Sequence, residues 1–156
     1  RDFCLSRGLG DVYKRQDAMR KLRSQFSHSS TMYQVLQMYL FACYCGLRFS
    51  DVIDLKWKHI DFENKIIKKK MIKTKSEVIT PLFTMARAVV LGLSEGKSLF
   101  GSSKNVFYGF AEPTVNKTLV KLTEMAGIEK HITYHSSRHN RFSFSLKINS
   151  LQNISA

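Results

Sequence analysis

The chain has 156 residues, enough for one domain with a hydrophobic core, and 44% of them are apolar, as in globular proteins. Lysine and arginine total 25 against 12 acids, a formal net charge of +13. This balance favours a polyanionic partner such as nucleic acid over the alternative, a basic protein with no such partner.

No apolar run has the length of a membrane span, and the N-terminal residues lack the apolar centre of a signal peptide. We therefore expect a cytoplasmic protein with no membrane partner. The three cysteines argue against a disulfide scaffold. Cys43 and Cys45 have no second Cys/His pair at metal-binding spacing, so we predict no metal site.

Residues 1–24 are polar and basic without a clear period, and we predict a tail or linker there, whose native or foreign origin the sequence leaves open. From Thr31, the stretch "TMYQVLQMYLFACYCG" has apolar residues at helical spacing. Serines before it can cap a buried helix, and Gly46 can end it. In "FSDVIDLKWKHID", Ser50 is the expected N-cap of a second, short helix.

The stretch "FENKIIKKKMIKTKSEVITPL" predicts a hairpin or small antiparallel sheet. Glu63-Asn64 is a turn signal, Ile66-Ile67 and Val78-Ile79 are β-branched pairs, and Pro81 closes the unit.

Two further helices are predicted, in "LFTMARAVVLGLSEG" and "EPTVNKTLVKLTEMAGI", with Pro113 in the first turn of the latter. "ITYHSSRH" opens another helix. The order predicts a mainly α domain with a small sheet, an α+β fold.

His135 and Arg138 are three residues apart, which places them on one face of a helix. An imidazole can move protons near neutral pH, and a guanidinium can hold two phosphate oxygens. Together they suit a phosphoryl-transfer site. The alternative is an ordinary basic helix face.

Other basic residues fall into two groups. Arg48 follows the buried helix, where a side chain can reach a cleft or cap helix carbonyls, and Asp51 could hold its guanidinium in place. Six lysines and no acid lie between Lys65 and Lys75. Lys73, at the expected hairpin tip, could place an ammonium beside a leaving oxygen. Others in the run could follow a DNA backbone or protect a strand edge: Lys68, Lys69, Lys70 and Lys75.

The segments "FACYCGLRFSDVIDLKW", "KTKSEVITPL" and "ITYHSSRH", in that order, resemble the catalytic domain of tyrosine recombinases, the phage-type integrases of mobile elements. The resemblance covers roughly residues 30–139. It implies a mainly helical fold with a small sheet. It also implies transesterification of double-stranded DNA through a tyrosine that forms a 3′-phosphotyrosyl link and frees a 5′-hydroxyl, without metal or nucleotide cofactor.

By the same resemblance, Arg48 matches the first catalytic arginine and Asp51 the acidic residue that supports it. Lys73 matches the general acid to the 5′-oxygen, and His135 and Arg138 match the H-x-x-R pair. The implied partners are double-stranded DNA and other recombinase subunits.

The sequence departs from the family after His139. Residues 140–156 contain no Gly, His, Trp or Tyr, so neither the nucleophile nor the family's last His or Trp is found there. The family's N-terminal DNA-clamping domain has no counterpart in residues 1–24. We predict a partial catalytic domain over residues 25–139, incomplete at its C-terminus, followed by an aberrant segment, as a frameshift or gene fragment would give.

Three functional hypotheses remain open. The first is a recombinase fragment for site-specific DNA recombination or integration, unable to cleave DNA by itself. The second is a non-catalytic DNA-binding module that occupies recombination sites or joins an assembly there. The third is a basic RNA-binding protein whose motif matches are accidental. Whether the chain is an enzyme is left open by the missing tyrosine.

Overall fold

The computed structural model describes residues 2–137, with side chains from residue 10 onward. Over this range five α-helices and a three-stranded sheet follow one another along the chain. They are α1 (Asp2–Lys21), α2 (Thr31–Cys45), α3 (Phe49–Ile53), β1 (Ile60–Asp61), β2 (Ile66–Lys70), β3 (Glu77–Pro81), α4 (Thr84–Ser94) and α5 (Glu112–Met125). The predicted fold class, mainly α with a small antiparallel sheet, is confirmed.

Helix α2 is the centre of the core and packs against α1, α3, α4 and α5. Its N-cap is Ser30, whose Oγ accepts a hydrogen bond from the Tyr33 N–H at 3.2 Å. Gly46 ends the helix in the left-handed region, φ 66°, and donates its N–H to the Ala42 carbonyl at 2.7 Å. Almost every residue between these caps is buried, as expected of a helix that other helices surround.

The N-terminal segment differs from the prediction. Residues expected to form a tail or linker form α1, followed by a 3₁₀ turn at Leu22–Gln25. Met19 and Leu22 are 1% and 5% exposed and belong to the core. In the sequence, the surrounding charged residues hide this apolar pair. Because the two side chains are three residues apart, they lie on one face and pack the end of α1 against α2.

The sheet has the order β1-β2-β3, and both pairings are antiparallel. In the β2–β3 pairing Lys68 lies opposite Ile79, and Lys70 lies opposite Glu77. Ile67 and Lys69 point to the buried face, whereas Lys68 and Lys70 point to solvent. A loop of residues 71–76 joins the two strands, closed by the Met71 N–H, which donates to the Ser76 carbonyl at 2.9 Å.

The helices after the sheet complete the core. Helix α4 buries Val89 and Val90, and α5 buries Val115, Leu119 and Leu122. The predicted helix in "ITYHSSRH" begins as a turn at Tyr134 and His135 and is helical at residues 136–137, where the described part of the chain stops. None of the described helices has the length and apolar character needed to cross a bilayer.

Candidate active site

A surface cleft of about 350 Å³ brings three of the predicted catalytic residues together. Arg48, Lys73 and His135 all line it, although they lie on three separate parts of the sequence. The other residues that line the cleft are Phe49, Ser50, Glu112 and Tyr134. An arginine, a lysine and a histidine around one opening form a site that suits an anionic ligand.

Arg48 reaches the cleft from the junction of α2 and α3. It is the N-cap residue of α3, with an extended backbone, and its carbonyl accepts the N–H groups of Asp51 and Val52, both at 3.0 Å. The first turn of α3 thus begins at Arg48, not at the predicted Ser50. Ser50 lies inside the helix and is exposed to the cleft.

Lys73 is exposed at the tip of the loop between β2 and β3. The Lys75 N–H donates to the Met71 carbonyl at 3.0 Å, which folds this loop back on itself. Asp51 Oδ1 accepts a hydrogen bond from the Ile72 N–H at 2.8 Å, so α3 holds the loop one residue before Lys73. The turn that carries the lysine is therefore fixed at both its base and its side.

The role predicted for Asp51 differs from what the structure shows. Asp51 is fully buried, and its carboxylate makes no ion pair within 4 Å of the Arg48 guanidinium. Its hydrogen-bond partner is instead the backbone of the Lys73 loop. The reason is geometric, because Arg48 precedes α3 with an extended backbone while Asp51 lies inside the helix and bonds to the loop between β2 and β3.

His135 is exposed and is carried by the segment that follows α5. Asn116 of α5 holds the start of this segment, because its Oδ1 accepts the Tyr134 N–H at 2.8 Å. The Thr133 N–H donates to Ser136 Oγ at 3.2 Å, a return bond like that of a capping box. Together these bonds place His135 at the start of a helical turn beside the cleft.

Tyr134 lines the cleft with its ring and buries its hydroxyl. The residue is 1% exposed, its ring makes an edge contact with Phe49 at 5.0 Å between centroids, and its hydroxyl has no hydrogen-bond partner among the described residues. Burial raises the pKa of Tyr134 well above 10, which opposes formation of a phenolate.

The predicted DNA-contacting lysines divide into two groups. Lys68, Lys70 and Lys75 are exposed. The Nζ of Lys68 lies 3.7 Å from Oε1 of Glu77. Lys69 is 3% exposed, and its Nζ donates to Asp54 Oδ2 at 2.5 Å. That bond lowers the pKa of Asp54. Lys69 faces inward because period two along β2 places it on the face of Ile67, so the structure does not support its predicted contact with DNA.

The predicted catalytic residue Arg138 and its neighbour His139 lie outside the described residues. Glu112 was not predicted, since it reaches the cleft only because α5 packs on α2, and nothing in the local sequence marks it. Asn116 was not predicted either, because an asparagine on a helix gives no signal of a backbone partner 18 residues away. No cluster of residues suited to hold a metal ion occurs in the described range.

The chain is similar to known proteins along most of its length. The model of the family described as "Phage integrase family" matches residues 14–151. A tyrosine recombinase from Pseudothermotoga lettingae is 31% identical over 102 residues, covering 62% of this chain and 34% of that protein. The crystal structure of XerA recombinase is similar with a TM-score of 0.61 and 20% identity, covering 85% of this chain and 48% of that one. The chain thus spans between a third and a half of the length of these relatives.

Proposed function

Because this chain belongs to the phage integrase family, we propose that its cleft binds a DNA phosphodiester and promotes the strand transfer of site-specific recombination. The observation that carries the proposal is the convergence of Arg48, Lys73 and His135, from three segments, on one cleft. The formal net charge of +13 and the exposed lysines of the sheet support duplex DNA as the substrate.

Each side chain has a distinct role in this proposal. The Arg48 guanidinium binds the non-bridging oxygens of the phosphate and neutralises the charge that grows on them in the transition state. A tyrosine hydroxyl attacks phosphorus, the new P–O bond forms, and the bond to the 5′-oxygen breaks. The Lys73 ammonium gives its proton to that leaving oxygen, and His135 accepts the proton of the attacking hydroxyl. We propose that Arg138 adds a second guanidinium.

The nucleophile of this reaction is proposed to come from outside this sequence. Tyr134 is the last tyrosine in the sequence. Its hydroxyl is buried, and this burial raises its pKa. Among the residues that line the cleft it is the one tyrosine. We also propose other recombinase subunits as partners on the DNA. The parent system would be a mobile element.

Sealing of a nick tests the chemistry without any protein nucleophile. Duplexes that bind the chain are first selected from a randomised pool. A nick is then built with a 3′-p-nitrophenyl phosphate facing a 5′-hydroxyl. Attack of the hydroxyl on phosphorus forms the P–O5′ bond and releases p-nitrophenolate. In this direction the amine form of Lys73 accepts the proton of the 5′-hydroxyl.

We expect sealing well above the rate without protein, and a loss of about 100-fold or more in Lys73→Ala, the usual range for a general acid or base. Arg48→Ala should also abolish the reaction. Lys97→Ala is the matched control, since Lys97 is exposed and pairs with Glu95 away from the cleft. Sealing equal in wild type and Lys73→Ala would reject the proposed chemistry.

The second candidate function is a non-catalytic DNA-binding module. The buried Tyr134 hydroxyl favours it, because the described residues of the cleft offer no accessible tyrosine and can still bind a phosphate. The same assay separates the two functions. Tight binding of selected duplexes with no sealing by wild type supports the module, whereas sealing that depends on Lys73 supports the strand-transfer site.

A further inference from the structure

A second groove lies on the other side of the segment that carries His135. It runs between α1 and residues 126–130 and has a volume of about 340 Å³. A smaller extension of about 180 Å³ continues it along residues 130–132 and Ser136. Arg15 and Lys130 line both parts, so the two form one surface, which we call the α1 groove.

The α1 groove has an excess of unpaired cations. Lys14, Arg15 and Lys130 line it, and in the described part of the chain none of them has an ion-pair partner within 4 Å. Asp11 and Glu129 are the carboxylates in the lining, and His131 lies in the extension.

Farther along α1 the pattern is different. Asp17 pairs with Arg20 at 2.6 Å and with Lys21 at 2.9 Å, so each of these two cations has an ion-pair partner. Among the side chains of α1 that the structure describes, the cations without an ion-pair partner are Lys14 and Arg15, and both border the groove.

In the described part of the chain, neighbouring residues of one segment line the cleft and the groove. His135 lines the cleft, whereas the next residue, Ser136, lines the α1 groove. A ligand that extends beyond the cleft across this segment therefore meets Lys130 and Arg15. Lys14 and Lys130 are exposed. Exposed cations suit a polyanion that gains affinity from several separate phosphate contacts, whereas a small anion needs an enclosed site.

We propose that the α1 groove binds the phosphate backbone of duplex DNA that flanks the phosphodiester in the cleft. This inference rests on the proposed function. Lys14, Arg15 and Lys130 act as sequence-independent phosphate contacts that fix the direction of the duplex across the protein. Segment 131–137 then lies between two contact points on the same DNA.

The test compares two triple variants of the full chain on a selected duplex. Lys14→Ala/Arg15→Ala/Lys130→Ala removes the groove cations. Arg87→Ala/Lys97→Ala/Lys104→Ala removes the same charge from exposed residues that line neither the cleft nor the groove. We expect the slope of log affinity against log salt to fall by about 2–3 in the groove variant, since each phosphate contact contributes about 0.9, and to change by less than about 1 in the matched variant.

Phosphate-ethylation interference provides the position of the contacts. The groove variant should lose the interference signals that flank the site while those of the cleft phosphate remain. Acetylation of lysines in the wild-type chain needs no variant and is not affected by misfolding. Selected duplex should protect Lys14 and Lys130 from acetylation and leave Lys97 reactive.

The outcomes separate the two proposals. The first outcome to consider is that wild type binds DNA and Arg48→Ala weakens this binding. If the groove variant then has the same salt slope as its matched control, the α1 groove proposal is overturned and the proposed function stands. Reactive Lys14 and Lys130 in the complex would overturn it as well. If wild type binds no duplex even at low salt, the proposed function itself fails.

Discussion

Asp51 accepts a hydrogen bond from the backbone N–H of Ile72 at 2.8 Å, and through this bond α3 holds the loop that carries Lys73. The carbonyl of Arg48 accepts the N–H of Asp51 at 3.0 Å, so the same turn of α3 is tied to Arg48. The separation of the two cations is thus set by the buried carboxylate between them. Asp51 positions Lys73 and makes no contact of its own with the cleft.

Removal of the Asp51 carboxylate should therefore impair Lys73. Asp51→Ala leaves the Ile72 N–H without its partner, and we expect a loss of about 1–3 kcal/mol in the free energy of unfolding. Nick sealing should fall nearly as far as in Lys73→Ala. Asp51→Asn keeps an acceptor oxygen and should restore most of the sealing rate. If Asp51→Ala seals as fast as wild type while it remains folded, this positioning role is wrong.

Asn116 should act on His135 in a similar way. Its Oδ1 holds the Tyr134 N–H at 2.8 Å, and the adjacent residue is His135. Asn116→Ala should cost about 1 kcal/mol of stability and reduce sealing, whereas Asn116→Asp retains the acceptor. Thermal unfolding and sealing rates measure the two effects. Equal rates in Asn116→Ala and wild type would show that α5 does not control the position of His135.

Glu112 should oppose DNA binding. It is an exposed carboxylate at the start of α5 and lines the cleft beside Arg48 and Lys73. Glu112→Gln removes a charge that repels phosphate, and we expect affinity for duplex to increase about threefold at low salt, with a smaller gain at high salt. Glu124→Gln, an exposed change at the other end of α5, is the matched control. Weaker binding by Glu112→Gln would indicate a direct bond from this carboxylate to DNA.

Acidification should destabilise the fold through His59 and Asp54. Burial and then the charge of Lys69 lower the pKa of His59 from its ordinary 6.5, and its Nδ1 accepts the Lys56 N–H at 3.1 Å. Below pH 6.5 the unfolded chain binds this proton before the folded chain does, so stability falls as the pH falls.

The hydrogen bond from Lys69 lowers the pKa of Asp54 below 3.8, so its contribution is present above that pH and is lost as the pH falls through the folded pKa. Urea unfolding from about pH 7.5 to about pH 2.5 should show a loss of stability below about pH 6.5 from His59 and a further loss below about pH 4 from Asp54, and His59→Gln should flatten the upper part of the curve. Stability that rises on acidification would contradict this account.

The elements with strong local signals could be predicted from the sequence. For α2, the apolar run, the serine cap and Gly46 all indicate the same helix, and for α5 Pro113 and the apolar face do so. Arg48, Lys73 and His135 were found through the resemblance of their segments to the family, and the structure brings them to one cleft.

The remaining features depend on packing that a single segment does not encode. In the sequence, Lys69 is one lysine among several and was predicted to be exposed like the others. Side chains alternate along β2, so the buried Ile67 two residues earlier indicates that Lys69 is buried on the same face. The partner of Asp51 is 21 residues away, on a loop whose path is set by the sheet. Helix α1 was missed because its packing on the core depends on only two apolar side chains, Met19 in its last turns and Leu22 in the 3₁₀ turn that follows.

The most direct test of the central claim measures whether Arg48 binds one particular DNA phosphate. Methylphosphonate, which is uncharged, replaces each phosphate of a selected duplex in turn, and affinities are measured for wild type and Arg48→Ala. One position should weaken wild type by about 10-fold or more, as for a charge-assisted hydrogen bond, and have little effect on Arg48→Ala. Equal losses in both proteins at every position would contradict the assignment of the cleft as the phosphate-binding site.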